Sequence, residues 1–193
     1  MNKARLEAFS DGVLAIIITI MVLEIKVPHE ASLEALTELL PVFLSYLLSF
    51  IFIGIYWVNH HHLLHCIRKV NIKILWANMG LLFTLSLVPF STGWMGENYP
   101  ATLPITLYCV NLLLCGFAAG ILQSAIASGL PPENRIFVII KQNLKKTIIS
   151  VILYIVSIIL SFWFPVLSLA LIAAVAVLWV IPDKRIEEML EDE

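Results

Sequence analysis

Charge is scarce in this sequence: Asp, Glu, Lys and Arg make up only 13% of its 193 residues, about half the share of an ordinary soluble domain. With 60% hydrophobic residues and a mean hydropathy of +0.94, too little polar surface remains to cover a water-soluble core. The apolar excess must face lipid. An excess of positive charge is also missing. Twelve basic residues against fourteen acidic ones give a net charge of -2, which offers no electrostatic case for nucleic acid. The cysteines, Cys66, Cys109 and Cys115, are odd in number, lack C-x-x-C spacing and read as packing residues. No Ser/His/Asp or Cys/His arrangement, phosphate-cradling loop or paired-carboxylate motif supports an enzyme. Nor is there a soluble domain, low-complexity linker or internal repeat, so residues 1–193 read as one membrane domain.

What the chain does contain is long apolar runs. A hydrocarbon core of about 30 Å needs about 20 helical residues to cross it. Six stretches qualify, at 9–27, 40–66, 74–92, 103–127, 147–164 and 166–181. The last two share one apolar run, divided where Pro165 lacks an N–H and clashes with a continuing helix. The expected fold is an all-α integral membrane protein with six transmembrane helices. Lys3, Arg5, Arg68, Lys69, Lys73, Arg135, Lys141, Lys145, Lys146, Lys184 and Arg185 fall on one side of that arrangement, and Lys26 alone on the other. Positive charge is retained inside, so both termini are expected in the cytoplasm. A cleaved signal peptide fits poorly, because Asp11 and Glu24 interrupt the first run and no A-x-A site follows. Between the first two spans, Leu33, Leu36 and Leu40 recur at helical spacing opposite Glu30, Glu34 and Glu38. That pattern reads as a short surface helix, whose acids would raise the local cation concentration.

Polar residues inside a bilayer are costly and face a protein interior or a water-filled path. In the first span, Ile16, Ile20, Leu23 and Val27 fall within about 40° of one direction, with Thr19 about 60° to the side and Asp11 about 140° away. One stripe is therefore aliphatic with a hydroxyl at its edge, and a separate face carries a carboxylate that needs a partner. The stripe alone is equally what ordinary helix packing would leave. At the end of the second span, Trp57 precedes Asn59, His60, His61, His62 and His65. His61 and His65 are one turn apart and could share a zinc ion, but three adjacent histidines point in three directions. A contact between one of them and Asp11 would satisfy both groups. The third span carries Asn78, Ser86 and Pro89, and the fourth carries Gly116 and Gly120 as G-x-x-x-G, a motif of close helix packing.

Three groups of residues, in order, carry a family resemblance. Arg5, Phe9, Ser10, Asp11 and Gly12 with Val22 to Ile25, then Trp57, His60 and His61, then Asn78, Leu82, Phe83, Ser86, Leu87, Pro89, Phe90 and Thr92 resemble successive motifs of bacterial relatives of the endolysosomal potassium channel, transmembrane protein 175. The resemblance covers about the first half of the chain; the last three spans match in number and hydropathy. It implies a homotetramer in a bacterial inner membrane, with no cofactor, conducting potassium and other monovalent cations through a central pore lined by the first helix. No T-V-G-Y-G filter is present. By the same resemblance, Ile16 forms the narrowest ring, Ile20 and Leu23 form further rings, and Thr19 occupies a position associated with potassium preference. Arg5, Ser10 and Asp11 would tie the first helix to the second and third through Trp57, His60 or His61, and Asn78. The chain departs from the common pattern at Leu14 and in its third consecutive histidine. Two rival readings are a proton-coupled secondary transporter using Asp11 with His60 and His61, and a membrane enzyme using the histidines with a metal.

Overall fold

The computed structural model describes residues 2–65, 67, 70–128 and 135–180, with the backbone alone at 65, 135, 136 and 138–145. Cys66, Arg68, Lys69, Lys184, Arg185 and the span ends expected at 66 and 181 lie outside the described residues. Every regular element among the described residues is a helix. In order the chain forms α1 (Lys3–Leu23), α2 (Leu33–Glu38), α3 (Leu40–His65), α4 (Ile72–Ser86), α5 (Val88–Glu97), α6 (Thr102–Ala127), α7 (Arg135–Leu160) and α8 (Pro165–Val180).

Local chemistry sets the ends of these helices. Asn2 caps α1, its Oδ1 accepting from Ala4 N at 3.3 Å, so the helix begins two turns before the apolar run does. It stops at Leu23 rather than at 27, because Val27 precedes Pro28 and is steered away from helical backbone. The aliphatic stripe on this helix therefore ends at Leu23, without Val27. The surface helix between the first two spans is α2, capped by Ser32 Oγ, which accepts from Ala35 N at 3.2 Å. The third apolar run is broken at Leu87, the shared cap of α4 and α5. Pro89 has no N–H for the preceding turn, and Leu87 N turns back to Thr84 O at 3.3 Å. By contrast α7 starts at Arg135, well ahead of the expected 147.

Among the described residues, four segments are long and apolar enough to cross a membrane: Lys3–Leu23, Leu40–Leu64, Ile72–Glu97 and Thr102–Ala127. Two shorter apolar helices, Lys146–Leu160 and Pro165–Val180, complete the bundle. The α6 helix packs against α4, α5, α7 and α8, while α1 leans on α3, α4 and α5 from the edge. Two apolar cores result. One joins Leu14 and Ile17 of α1 to Ile53, Leu81 and Leu122, and the other joins Phe52 to Tyr108, Tyr154 and Ile172. Cys109 and Cys115 are buried free thiols within these cores, as small packing residues are.

Several polar side chains inside the bundle are matched with each other, while the buried Ser157 Oγ has no partner among the described residues. Ser49 Oγ lies 2.7 Å from Thr92 Oγ1 and 2.9 Å from the Tyr108 hydroxyl, and Asn111 Nδ2 donates to Ser91 Oγ at 3.0 Å. These bonds clamp α5 to α3 and α6. The same clamp needs a small residue at Gly96, where an added Cβ would stand 2.9 Å from Val42 Cα. Gly96→Ala should therefore lower stability by about 1–3 kcal/mol through overpacking. Gly54→Ala, where nothing lies within 4 Å, should be neutral or stabilising. Thermal unfolding of the detergent-solubilised variants measures both; equal melting would contradict the clamp.

Candidate functional site

The edge position of α1 gives it two faces. Leu6, Ser10, Leu14, Ile17 and Met21 are buried against the bundle at spacings of three and four. The other face is open along its whole length: Phe9 is 51% exposed, Ile16 57%, Ile20 43% and Leu23 77%. Thr19 is exposed on this face too, its hydroxyl donating to Ala15 O and Ile16 O at 3.1 and 2.9 Å. Nothing lies within 4 Å of a Cβ placed on Gly12, one turn before Ile16. A groove of about 610 Å³ runs beside this face, between Ile16, Ile17 and Ile20 of α1 and Pro89, Phe90 and Gly93 of α5.

A chain of three hydrogen bonds runs from the buried face of α1 through α4 to α3. Ser10 Oγ donates to Leu6 O within its own helix at 2.9 Å, which leaves the oxygen free to accept from Asn78 Nδ2 at 3.0 Å. The other end of the Asn78 amide, Oδ1, lies 2.6 Å from His60 Nε2. Ser10 and Asn78 are fully buried, and His60 is 4% exposed. One amide thus links α1, α4 and α3, with each of its two ends used.

Asp11 is held otherwise than a histidine contact would hold it. Its Oδ1 accepts from Trp57 Nε1 at 3.0 Å, while His60 turns to Asn78. Three residues apart on a helix are about 60° apart around its axis, so Trp57 reaches the flank of α1 while His60 points between α1 and α4. His61 is exposed, its ring beside that of Trp57 with centroids 6.1 Å apart. Arg5 is exposed and forms no ion pair among the described residues, so it stands outside the cluster that the sequence motif suggests. The side chain of His65 lies outside the described residues, and among those described no three His, Cys, Asp or Glu residues gather to hold a metal.

At the far end of α1 the structure adds contacts that sequence motifs did not single out. Glu24, the C-cap, rests against Gly93, with its Oε2 3.3 Å from where a Cβ would be. Lys26 Nζ donates to Glu97 Oε1 and forms an ion pair with it. That hydrogen bond, with the Glu97 charge behind it, raises the lysine pKa above its ordinary value. The end of α1 is thereby tied to the end of α5. In the fourth-span motif, a Cβ at Gly116 would lie in van der Waals range of Tyr154 on α7 and the Tyr56 hydroxyl on α3, while Gly120 has open space beside it.

The cluster makes a testable ranking. Asn78→Leu leaves Ser10 and His60 without their buried partner and should cost about 1–3 kcal/mol for each stranded group. Trp57→Phe removes one bond on an exposed flank and should cost less, about 0.5–1.5 kcal/mol. Equilibrium unfolding in detergent orders the two, and a larger loss in Trp57→Phe would overturn the central place of Asn78.

With this geometry in view, comparison with known proteins is informative. Residues 5–89 match the family model described as the endosomal/lysosomal potassium channel TMEM175. A potassium channel of Chryseobacterium sp. (strain P1-3) is 47% identical over 192 residues, covering all of both chains. The human endosomal/lysosomal proton channel TMEM175 is 39% identical over 99 residues, 45% of this chain and 19% of its own. The crystal structure of a lysosomal potassium-selective channel TMEM175 homologue from Chamaesiphon minutus superposes with a TM-score of 0.80 at 32% identity, covering 92% of this chain and 96% of that one. The full-length match to the Chryseobacterium channel and the shared fold place the protein: this chain belongs to the TMEM175 family of membrane channels.

Proposed function

We propose that the protein is a potassium-permeable cation channel whose pore is lined by the open face of α1. The observation that carries this reading is the division of α1. One face is anchored by Ser10, Asn78 and the Leu14–Ile17–Met21 row, and the other presents Ile16, Thr19, Ile20 and Leu23 unpartnered within the subunit. A helix held so firmly on one side keeps a fixed rotation, and four copies around an axis would bring these residues into rings. The narrow ring is Ile16, with Ile20 and Leu23 beyond it and the Thr19 hydroxyl between. Aliphatic rings conduct according to their width and wetting, without a carbonyl-lined filter. No cofactor is needed, and potassium and other monovalent cations are the permeant species.

The surrounding assignments follow from the same reading. The assembly is a homotetramer in a bacterial inner membrane, each subunit being one channel domain over 1–193. Its spans are α1, α3, the broken α4–α5 segment, α6, α7 and α8. Retention of Lys and Arg on one side places both termini in the cytoplasm. Phe162, Trp163 and Phe164, exposed at the turn between α7 and α8, then sit at the outer interface, where aromatic rings are favoured. Ser10, Asp11, Trp57, His60, His61 and Asn78 orient the pore helix rather than touch the ion. A proton-coupled transporter would draw on the same Asp11 and histidines, and the helix break at Leu87 is the feature that suits it.

Ion flux separates the readings. Proteoliposomes of the purified tetramer should pass potassium in preference to sodium and exclude choline. Ile16→Asn should wet the constriction, raising flux or reducing the preference by about tenfold, the equivalent of about 1.4 kcal/mol. Unchanged flux and preference in the variant would move the pore off α1, and movement of a substrate only with a proton gradient would establish the transporter.

A further inference from the structure

A second cavity, of about 70 Å³, lies inside the subunit between α3, α6, α7 and α8, away from α1. One water needs about 10–15 Å³, so the space exceeds a single solvent molecule. Its floor is the G-x-x-x-G of α6: Gly120 has nothing within 4 Å, and the space at Gly116 is met by Tyr154 Cε2 at 3.6 Å and the Tyr56 hydroxyl at 3.8 Å. At Gly120, a small residue that a packing motif would bury under a helix here faces empty volume.

The wall has a defined chemistry. Among the described residues it is mostly carbon, and its ionisable groups are the two tyrosines. Tyr154 is 3% exposed, lines the cavity, and its hydroxyl has no hydrogen-bond partner among the described residues. The same holds for the Tyr56 hydroxyl and for the amide of Gln123 at the cavity edge. Asn59 donates to Ile55 O at 2.8 Å, which leaves its Oδ1 to accept. A polar group that lines an apolar cavity is stabilised when a ligand supplies its partner. What completes this set is one hydroxyl, able to accept from a phenol and donate to an amide oxygen. It would be carried on an uncharged alkyl chain that covers the glycine floor.

We infer that this cavity is a binding site for a small neutral amphiphile of the linear alcohol class, its hydroxyl on the tyrosines and its chain along Gly116 and Gly120. The site has a structural route to α1. On α3, Phe52, Ile55, Tyr56 and Asn59 face the cavity, while Trp57 and His60 on other faces hold Asp11 and Asn78. One two-turn segment therefore separates the ligand from the cluster that orients the first helix.

Trp179 lines the cavity and donates to Ser150 Oγ at 2.8 Å, which gives a direct readout. Bromohexanol is titrated into the purified, assembled protein, and the quenching of Trp179 is taken as the difference between wild type and Trp179→Phe. Saturable quenching is expected in wild type and is expected to vanish in Gly120→Leu, whose Cβ meets nothing within 4 Å and whose side chain occupies the cavity. Tyr154→Phe removes only the hydroxyl and should weaken binding about three- to tenfold. Quenching that rises linearly, or that is the same in Gly120→Leu, means partition into detergent and overturns the site. Binding is read without ion flux, so its failure is distinguishable from failure of the pore assignment.

Discussion

The side chain of Asn78 holds three helices at fixed rotations with the two ends of one amide. In lipid, water cannot satisfy a stranded donor or acceptor, so each buried polar group must find its partner inside the protein. Asn78 meets that requirement for Ser10 on α1 and His60 on α3 at once. The bonds are directional, unlike the aliphatic packing around them. Leu14, Ile17 and Met21 would tolerate a helix turned by some tens of degrees; Ser10 would lose its bond. The rotation of α1, and with it the identity of the residues left on its open face, depends on this link.

The remaining architecture supports that arrangement from both ends. Beyond Leu23 the chain leaves helical geometry, with Glu24 set against Gly93 and Lys26 paired with Glu97. The α5 helix that receives these contacts is itself clamped to α3 and α6 through Ser49, Thr92, Tyr108, Ser91 and Asn111. The break at Leu87 allows this: α4 serves Asn78, while α5 takes a separate direction to meet the outer part of α1. In the pore reading, a first helix fastened at both ends and bare on one face is what four subunits need to build a narrow aliphatic passage.

Much of this was legible in the residue pattern. Apolar runs of spanning length located the helices that now stand at Leu40–His65 and Thr102–Ala127, because lipid imposes a strict hydropathy. The separation of Asp11 from the Ile16–Ile20–Leu23 stripe followed from the helical repeat alone. The partners of polar residues were less accessible. Asp11 and the histidines suggested each other by charge and depth, yet Trp57 takes the carboxylate and Asn78 takes His60. The choice turns on about 60° of rotation along α3, which hydropathy does not encode. Ser49, Thr92, Tyr108 and Asn111 carried only the signal that polar atoms in an apolar run need company.

By itself, then, the sequence determined that the chain lives in lipid, where its second and fourth long apolar helices lie, and which side chains of the first helix share a stripe. Each of these is a local property, readable from the composition and period of contiguous residues. Only the tertiary structure decided which stripe is buried, which polar groups meet, and that Gly116 and Gly120 border a cavity. Those outcomes depend on the relative rotation and separation of helices that are distant along the chain. Buried hydrogen bonds of fixed direction set that geometry, and a hydropathy pattern has no direction to give.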